Sequence, residues 1–172
     1  CVGPNESRRI STGCDSVARG KKELLNEIKA REGYMIAVTG IIRKNDLEGT
    51  GISLATNTGA TISFSGGISL STGANAAFTA TGGGTVNATQ NNTSIVNTLA
   101  TTTGTALNIA STTIGASGVT FRSISANGAA NGIVLNATGT SGGLTVTGTG
   151  TTAGTGGTVQ NIANRGASFI NT

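Results

Sequence analysis

The fold is decided by residues 103–172, which read TGTALNIAS, SGVTFRSIS, NGIVLNATG, SGGLTVTGTG, GTVQNIA and RGASFINT, joined by short linking pieces. Each piece is a run of β-branched and apolar residues bounded by Gly, Asn, Ser and Thr, which is the pattern of a strand between turns. Three runs place Asn after an apolar pair, at Asn108, Asn136 and Asn171, with spacings of 28 and 35 residues. Repeats of this length are typical of stacked architectures, so the sequence predicts a β-solenoid, specifically a right-handed parallel β-helix.

Shorter echoes extend this pattern towards the N-terminus. The segment 118–121 (GVTF) is echoed at 143–146 (GLTV), and GISL occurs at both 51–54 and 67–70. Apolar and hydroxyl residues alternate in these runs, which places one apolar face inward in a strand; its members are Ile52, Leu54, Ile62, Phe64, Ile68 and Leu70. With 124 residues from Gly49 to the end and a repeat near 28 residues, we expect roughly four to five coils. A β-sandwich, in which the same strands pair antiparallel, is the alternative fold.

Charge divides the chain into two parts. All seven acidic residues lie between Glu6 and Glu48, and nine of the eleven basic residues lie between Arg8 and Lys44. We therefore predict a charged N-terminal cap over residues 1–45 and a solenoid over residues 46–172, and we expect the sequence to stop inside a repeat. The solenoid lacks the basic face and the aromatic or helical readout elements that nucleic-acid binding needs, so no nucleic-acid partner is expected.

The cap is predicted to hold one helix and one strand. A helix over about 16–32 is indicated by an apolar face formed by Val17, Leu24, Leu25 and Ile28. The apolar run YMIAVTGII predicts a strand over about 34–42. An amphipathic helix placed before the repeats is suited to cover the open end of a solenoid, so we expect it to act as a capping helix.

The two cysteines, Cys1 and Cys14, leave three readings open. They are close enough in sequence to form a disulfide, which would contribute about 3 kcal/mol in the chain-entropy model. A lipidated Cys1, as in mature bacterial lipoproteins, and an unremarkable pair of thiols are the alternatives. Because the chain has two Cys and no His, no Cys- or His-rich metal site is expected, and no cofactor is predicted. No apolar run approaches the ~20 residues of a membrane span.

The solenoid also lacks the side chains of acid–base catalysis. After Glu48 there is no Asp, Glu, His, Lys or Tyr, and only Arg122 and Arg165 are charged. General acid–base chemistry and calcium binding both need groups of these types, so we expect no enzyme. A catalytic site built from Glu23, Glu27 or Asp46 is a weaker hypothesis, since their spacing indicates none.

Two side-chain patterns are candidates for a role beyond packing. Thr145, Thr147 and Thr149 alternate in TVTGT, and such a row on a flat strand face is a candidate surface for ice or sugar, although an outward β-branched face explains it equally. Asn108, Asn136 and Asn171 are predicted to form a structural ladder whose amides hydrogen-bond along the stack. The same alignment predicts that Leu107, Leu135 and Ile170 lie in one column.

Residues 46–172, above all TGTALNIASTTIGASGVTFRSISANGAANGIVLNATG and GGTVQNIANRGASFINT, resemble the repetitive β-helix regions of very large secreted or cell-surface bacterial proteins. The resemblance implies an extracellular or bacterial cell-surface setting and a role as stalk, adhesin or scaffold. We therefore expect a structural or adhesive, non-catalytic segment of a larger protein, with copies of itself stacked end to end into fibres, and surface glycans, as its partners. The alternative is a carbohydrate- or ice-binding solenoid that uses a flat Thr- and Ser-rich face.

Overall fold

The computed structural model describes residues 8–10, 35–46 and 49–172, and strands are the only regular secondary structure in them. The strand β1 (Arg8–Ile10) comes first, and the remaining strands follow in groups of three, each group forming one coil. The groups are β2 (Met35–Val38), β3 (Ile42–Asn45) and β4 (Ile52–Ala55); β5 (Thr61–Phe64), β6 (Ile68–Ser71) and β7 (Phe78–Thr81); β8 (Thr85–Ala88), β9 (Asn97–Thr101) and β10 (Leu107–Ala110); β11 (Thr113–Phe121), β12 (Ser123–Asn127) and β13 (Asn131–Asn136); and β14 (Leu144–Val146), β15 (Val159–Gln160) and β16 (Arg165–Ile170). The predicted helix over 16–32, Cys1 and Cys14 lie outside the described residues.

Equivalent strands of successive coils build three parallel sheets. Sheet 1 has the order β1-β2-β5-β8-β11-β14, sheet 2 the order β3-β6-β9-β12-β15, and sheet 3 the order β4-β7-β10-β13-β16. Every strand pair in the described part of the chain is parallel. The predicted solenoid is thereby confirmed, with about four turns from the first strand of sheet 3 to the last, and the antiparallel β-sandwich is excluded.

The predicted strand over 34–42 is divided between two sheets. β2 pairs with β5 in sheet 1, whereas β3 pairs with β6 in sheet 2. The chain turns between them at 39–41. Gly66 of the next coil packs against this turn so closely that a Cβ there would lie 2.3 Å from the carbonyl oxygens of Thr39 and Gly40, which leaves no room for a side chain. Residues 35–45 therefore supply the first two strands of the first coil, and the predicted boundary after residue 45 falls between them and β4, the third strand of that coil.

Inward side chains lie directly above one another and form the core. In sheet 3 one column runs Ile52, Phe78, Leu107, Ile133 and its neighbour runs Leu54, Ala80, Ile109, Leu135, Phe169. The six apolar residues predicted to face inward, from Ile52 to Leu70, are all buried. Each fully buried aliphatic or aromatic side chain contributes about 1.5–3 kcal/mol, so burial in these columns is a large favourable term in folding.

Aromatic contacts join the sheets across the interior. The Phe78 ring, from sheet 3, lies between two rings of sheet 1, with centroids 5.7 Å from Phe64 and 6.1 Å from Phe121. Both pairs are close to perpendicular, at 74° and 78°. Edge-to-face pairs of this kind add about 0.5–1.5 kcal/mol beyond their buried area, so the three rings join the second coil, which holds Phe64 and Phe78, to the fourth, which holds Phe121.

A column of left-handed residues turns the chain from sheet 3 back to sheet 1. Positive φ angles occur at the residue that follows each strand of sheet 3; these residues are Thr56, Gly82, Ser111, Ala137 and Asn171. Each of the first four donates its N–H to the strand end of the next coil, for example Ser111 N to Asn136 O at 2.8 Å. The left-handed conformation is costly for residues with a Cβ, and the coil-to-coil hydrogen bond offsets that cost at Thr56, Ser111 and Ala137.

The first coil carries one charged side chain at an inward position. Lys44 lies opposite Leu70 in sheet 2, in the column that continues to Leu99. Only 12% of its side chain is exposed, and its Nζ lies 2.7 Å from Asp46 Oδ1. An inward charge at the end of a sheet disfavours pairing with another chain, and the ion pair compensates its partial burial.

The fold predicts opposite outcomes for two neighbouring substitutions. Leu135→Asp places a charge in the core column between Ile109 and Phe169, at a side chain that is 5% exposed. We expect it to lower the free energy of unfolding by about 3 kcal/mol or more. Val134→Asp, which changes an outward position of the same strand, should cost less than about 1 kcal/mol. Urea unfolding followed by circular dichroism measures both, and a Leu135→Asp variant as stable as Val134→Asp would contradict the inward column.

Candidate functional site

The predicted row of three threonines does not form one flat face. Thr145 lies in β14, is exposed, and sits opposite Thr120 of the previous coil. The strand ends at Val146, and Gly148 has a φ of 58°, which turns the chain away from the sheet. Thr149 consequently contacts a loop residue, its N–H donating to Thr155 Oγ1 at 2.8 Å.

The three asparagines of the predicted ladder do not lie opposite one another in the strand pairing. Asn108 lies opposite Val134, while Asn136 lies opposite Ala110 on one side and Ile170 on the other. Asn171 occupies the left-handed corner position. The alignment is offset by two residues between Asn108 and Asn136 and by one residue between Asn136 and Asn171, so Leu107, Leu135 and Ile170 do not share a column. A two-residue shift keeps inward residues inward, so the pattern of apolar and polar residues does not distinguish the two registers of Asn108 and Asn136. In the last coil the one-residue error exchanged the faces, since Phe169 and not Ile170 continues the column of Leu135.

Polar chemistry instead concentrates at the corner between sheets 1 and 2. Two long loops lie there, residues 89–96 between β8 and β9 and residues 147–158 between β14 and β15, and Arg122 alone links β11 to β12 between them. Loops carry binding residues more often than the scaffold that positions them. This corner is therefore the candidate functional region of the described chain.

A hydrogen-bonded cluster, the corner clamp, joins these three connections. It consists of Gln90, Asn92, Arg122, Thr147 and Gly148. The Arg122 guanidinium donates from Nε to Asn92 Oδ1 and from Nη2 to Asn92 O, both at 2.6 Å. Asn92 Nδ2 donates to Gly148 O at 2.7 Å, and Gln90 Nε2 donates to Thr147 Oγ1 at 2.8 Å. The clamp thus binds residues up to 57 apart in sequence and fixes the loop 89–96 against the later coils.

A fully buried asparagine anchors the base of the same loop. Asn97 takes an inward position opposite Ile68, and its Nδ2 donates to Thr89 O at 3.2 Å and to Thr120 O at 2.8 Å. Its N–H donates to Gln90 Oε1 at 3.0 Å. Its Oδ1 is buried without a hydrogen-bond partner, so Asn97 holds the loop through its donors at the expense of one unsatisfied acceptor.

The loop overhangs a depression on the outer face of sheet 2, which we call the sheet 2 groove. Its volume is about 340 Å³, and its lining includes Ile41, Arg43, Gly67, Ser69, Val96 and Thr98, with Thr93 and Ser94 at the loop side. Sequence reasoning did not identify this groove. A larger and more open recess, of about 690 Å³, lies on the outer face of sheet 3 beside Arg165.

The groove offers hydroxyls, a guanidinium and aliphatic surface, but no acid–base pair. Asp46 is the single carboxylate side chain in the described ranges, and it bonds Lys44. No cluster of three or more His, Cys, Asp or Glu side chains suited to a metal occurs among the described residues. Across residues 35–46 and 49–172, no helix has the length and apolarity to cross a membrane. The side chains that line the groove offer hydrogen-bonding hydroxyls, one cationic group and apolar surface.

Comparison with known protein families, curated proteins and solved structures gave no significant match.

The corner clamp predicts a specific effect of Arg122→Met, which keeps the aliphatic stem and removes the guanidinium. Losing hydrogen bonds from a charged donor should lower the free energy of unfolding by about 1.5–3 kcal/mol. Amide hydrogen exchange at Gly148, whose N–H donates to Arg122 O, and in residues 91–96 should become faster. Arg165→Met, at an exposed arginine, is the control and should change neither quantity. Unchanged exchange in the Arg122→Met protein would contradict a clamp.

Proposed function

We propose that this chain is a non-catalytic structural segment of a larger extracellular or cell-surface protein, in which a stiff β-solenoid serves as a stalk or scaffold. The observation that supports the proposal most directly is that three parallel ladders run from coil to coil, with inward columns that repeat through each sheet. The near absence of charged residues after Glu48 supports a role without acid–base chemistry. The extracellular setting rests on the resemblance of residues 46–172 to repetitive surface β-helices.

The mechanism of such a stalk is geometric. Interstrand hydrogen bonds in a solenoid run along its axis, so each coil is held to the next by three strands at once. A force along the axis is then shared among all three ladders, and each added coil lengthens the rod by about 4.8 Å. Stacked repeats interact mainly with their neighbours, so such a rod is extended by adding coils without redesigning its core.

Duplication of one coil tests the proposed stalk. Leu107 lies opposite Ile133, so a second copy of residues 107–132 inserted after Gly132 begins and ends at equivalent positions. We expect a folded protein with one cooperative thermal transition and a longest dimension about 5 Å greater by small-angle X-ray scattering.

An insert of the same residues in scrambled order is the matched control and should destabilise the chain. An unfolded or aggregated duplicate, with strand signal no better than that of the scrambled insert, would argue against an extendable rod.

We also propose that copies of the chain associate through the last coil. Its outer edge exposes apolar side chains, with Phe169 58%, Ile170 45% and Val146 42% accessible. Phe169 and Val146 continue inward columns, below Leu135 and Phe121 respectively. A further layer of apolar residues packed there would gain about 1.5–3 kcal/mol for each side chain fully buried.

Sedimentation velocity tests this association. The unmodified chain should sediment faster as its concentration rises, and the double variant Val146→Lys, Phe169→Lys should remain monomeric. Met35→Lys, at a residue that is 64% exposed in the first coil, is the control and should associate as the unmodified chain does. A chain that stays monomeric at every concentration would exclude association through this end.

A further inference from the structure

The sheet 2 groove arises from a missing side chain in an outward column. Because Ile42, Ile68 and Asn97 lie opposite one another, the residues before them, Ile41, Gly67 and Val96, lie on three successive coils. Gly67 has a φ of 103°, and a Cβ there would lie 3.3 Å from Val96 O and 3.7 Å from Ile41 Cγ1. With coils spaced about 4.8 Å apart, the backbones of Ile41 and Val96 are roughly 10 Å apart, and the buried Gly67 between them contributes no side chain.

The walls and floor of the groove differ in chemistry. Ile41 is 50% exposed and Val96 is half-buried, so both ends present aliphatic surface. The adjacent outward column runs Arg43, Ser69 and Thr98. The groove therefore combines apolar walls with two hydroxyls and one guanidinium, a combination suited to a ring that has C–H faces and polar substituents.

The loop side of the groove is fixed in place before any ligand arrives. The Thr93 hydroxyl donates to Asn91 Oδ1 at 3.0 Å, so its lone pairs remain available. The Ser94 hydroxyl accepts from Asn91 Nδ2 at 3.0 Å, so its proton remains available to a ligand. Since Arg122 holds the next residue, Asn92, the loop is ordered in advance, which reduces the entropic cost of binding.

The guanidinium of Arg43 sets the charge of the ligand. Arg43 is exposed, and within the part of the chain that the structure describes it has no carboxylate partner, since the described ion pair joins Lys44 to Asp46. Guanidinium groups bind carboxylate, sulfate and similar oxyanions through paired N–H donors. An anionic substituent on the bound ring would complete the set of contacts.

We propose that the sheet 2 groove binds an acidic sugar unit of a glycan. The C–H faces of the ring pack against Ile41 and Val96, its hydroxyls bond Ser69 and Thr98, and its carboxylate or sulfate group lies on Arg43. This site is distinct from the Thr145 strand face, and it holds whether or not the solenoid acts as a stalk, because its test is a titration of the folded chain.

The test is a titration of the full chain, by calorimetry and amide chemical shifts, with three tetrasaccharides. One contains glucuronate, one carries sulfate esters, and one is built of glucose alone. At least one acidic tetrasaccharide should bind saturably and shift the amides of Gly67, Ser69 and Thr98. The tetrasaccharide built of glucose should bind at least about tenfold more weakly than the acidic one, because it lacks the charge-assisted contact. Which acidic probe binds distinguishes a uronate from a sulfated sugar.

Three variants, each checked for folding by circular dichroism, locate the site. Arg43→Gln should weaken binding about tenfold or more, and Ser69→Leu should abolish it by filling the groove. Arg165→Gln, on the opposite recess of sheet 3, should bind as the unmodified chain does. The proposal is overturned if neither acidic tetrasaccharide binds at millimolar concentration, or if Arg43→Gln binds as tightly as the unmodified chain. It is equally overturned if Arg165→Gln weakens binding as much as Arg43→Gln.

Discussion

The coil-to-coil hydrogen bonds of three parallel sheets constrain every other feature of this molecule. Each strand must lie against its equivalent in the next coil, so each inward side chain packs directly against the inward side chain of the paired residue. Like side chains then form columns, and a charged group in the middle of a column would have no partner. This explains why apolar residues fill the inner positions. It also explains why the inward Lys44 lies in the first coil, where it pairs with Asp46, whose side chain is 57% exposed.

The alternation of inner and outer residues was readable from the sequence, whereas the register was not. The match of GVTF with GLTV at Val119 and Leu144 is confirmed. The match of Asn108 with Asn136 was wrong by two residues. A shift of two residues keeps the inner face inward, so both alignments bury the same side chains and the sequence pattern does not distinguish them. The corners and loops of the folded coil determine which register forms.

The corner clamp and the sheet 2 groove depend on contacts that no local pattern carries. Arg122 stood out in the sequence as one of two charges in the solenoid, but its partner Asn92 is 30 residues away. The groove requires Gly67 to fall between Ile41 and Val96 on adjacent coils, and a different register would remove it. The threonine row failed for a local reason, since Gly148 ends the strand that the alternation of TVTGT suggested.

The stalk proposal assigns stiffness to the inner columns, and the ligand proposal assigns binding to the outer face of sheet 2. Both depend on the register, which nuclear Overhauser contacts between strands measure directly. We expect contacts from Leu107 to Ile133 and from Leu135 to Phe169, with the pattern of parallel strands. Contacts between Leu107 and Leu135, or the close α-proton pairs of antiparallel strands, would contradict this register.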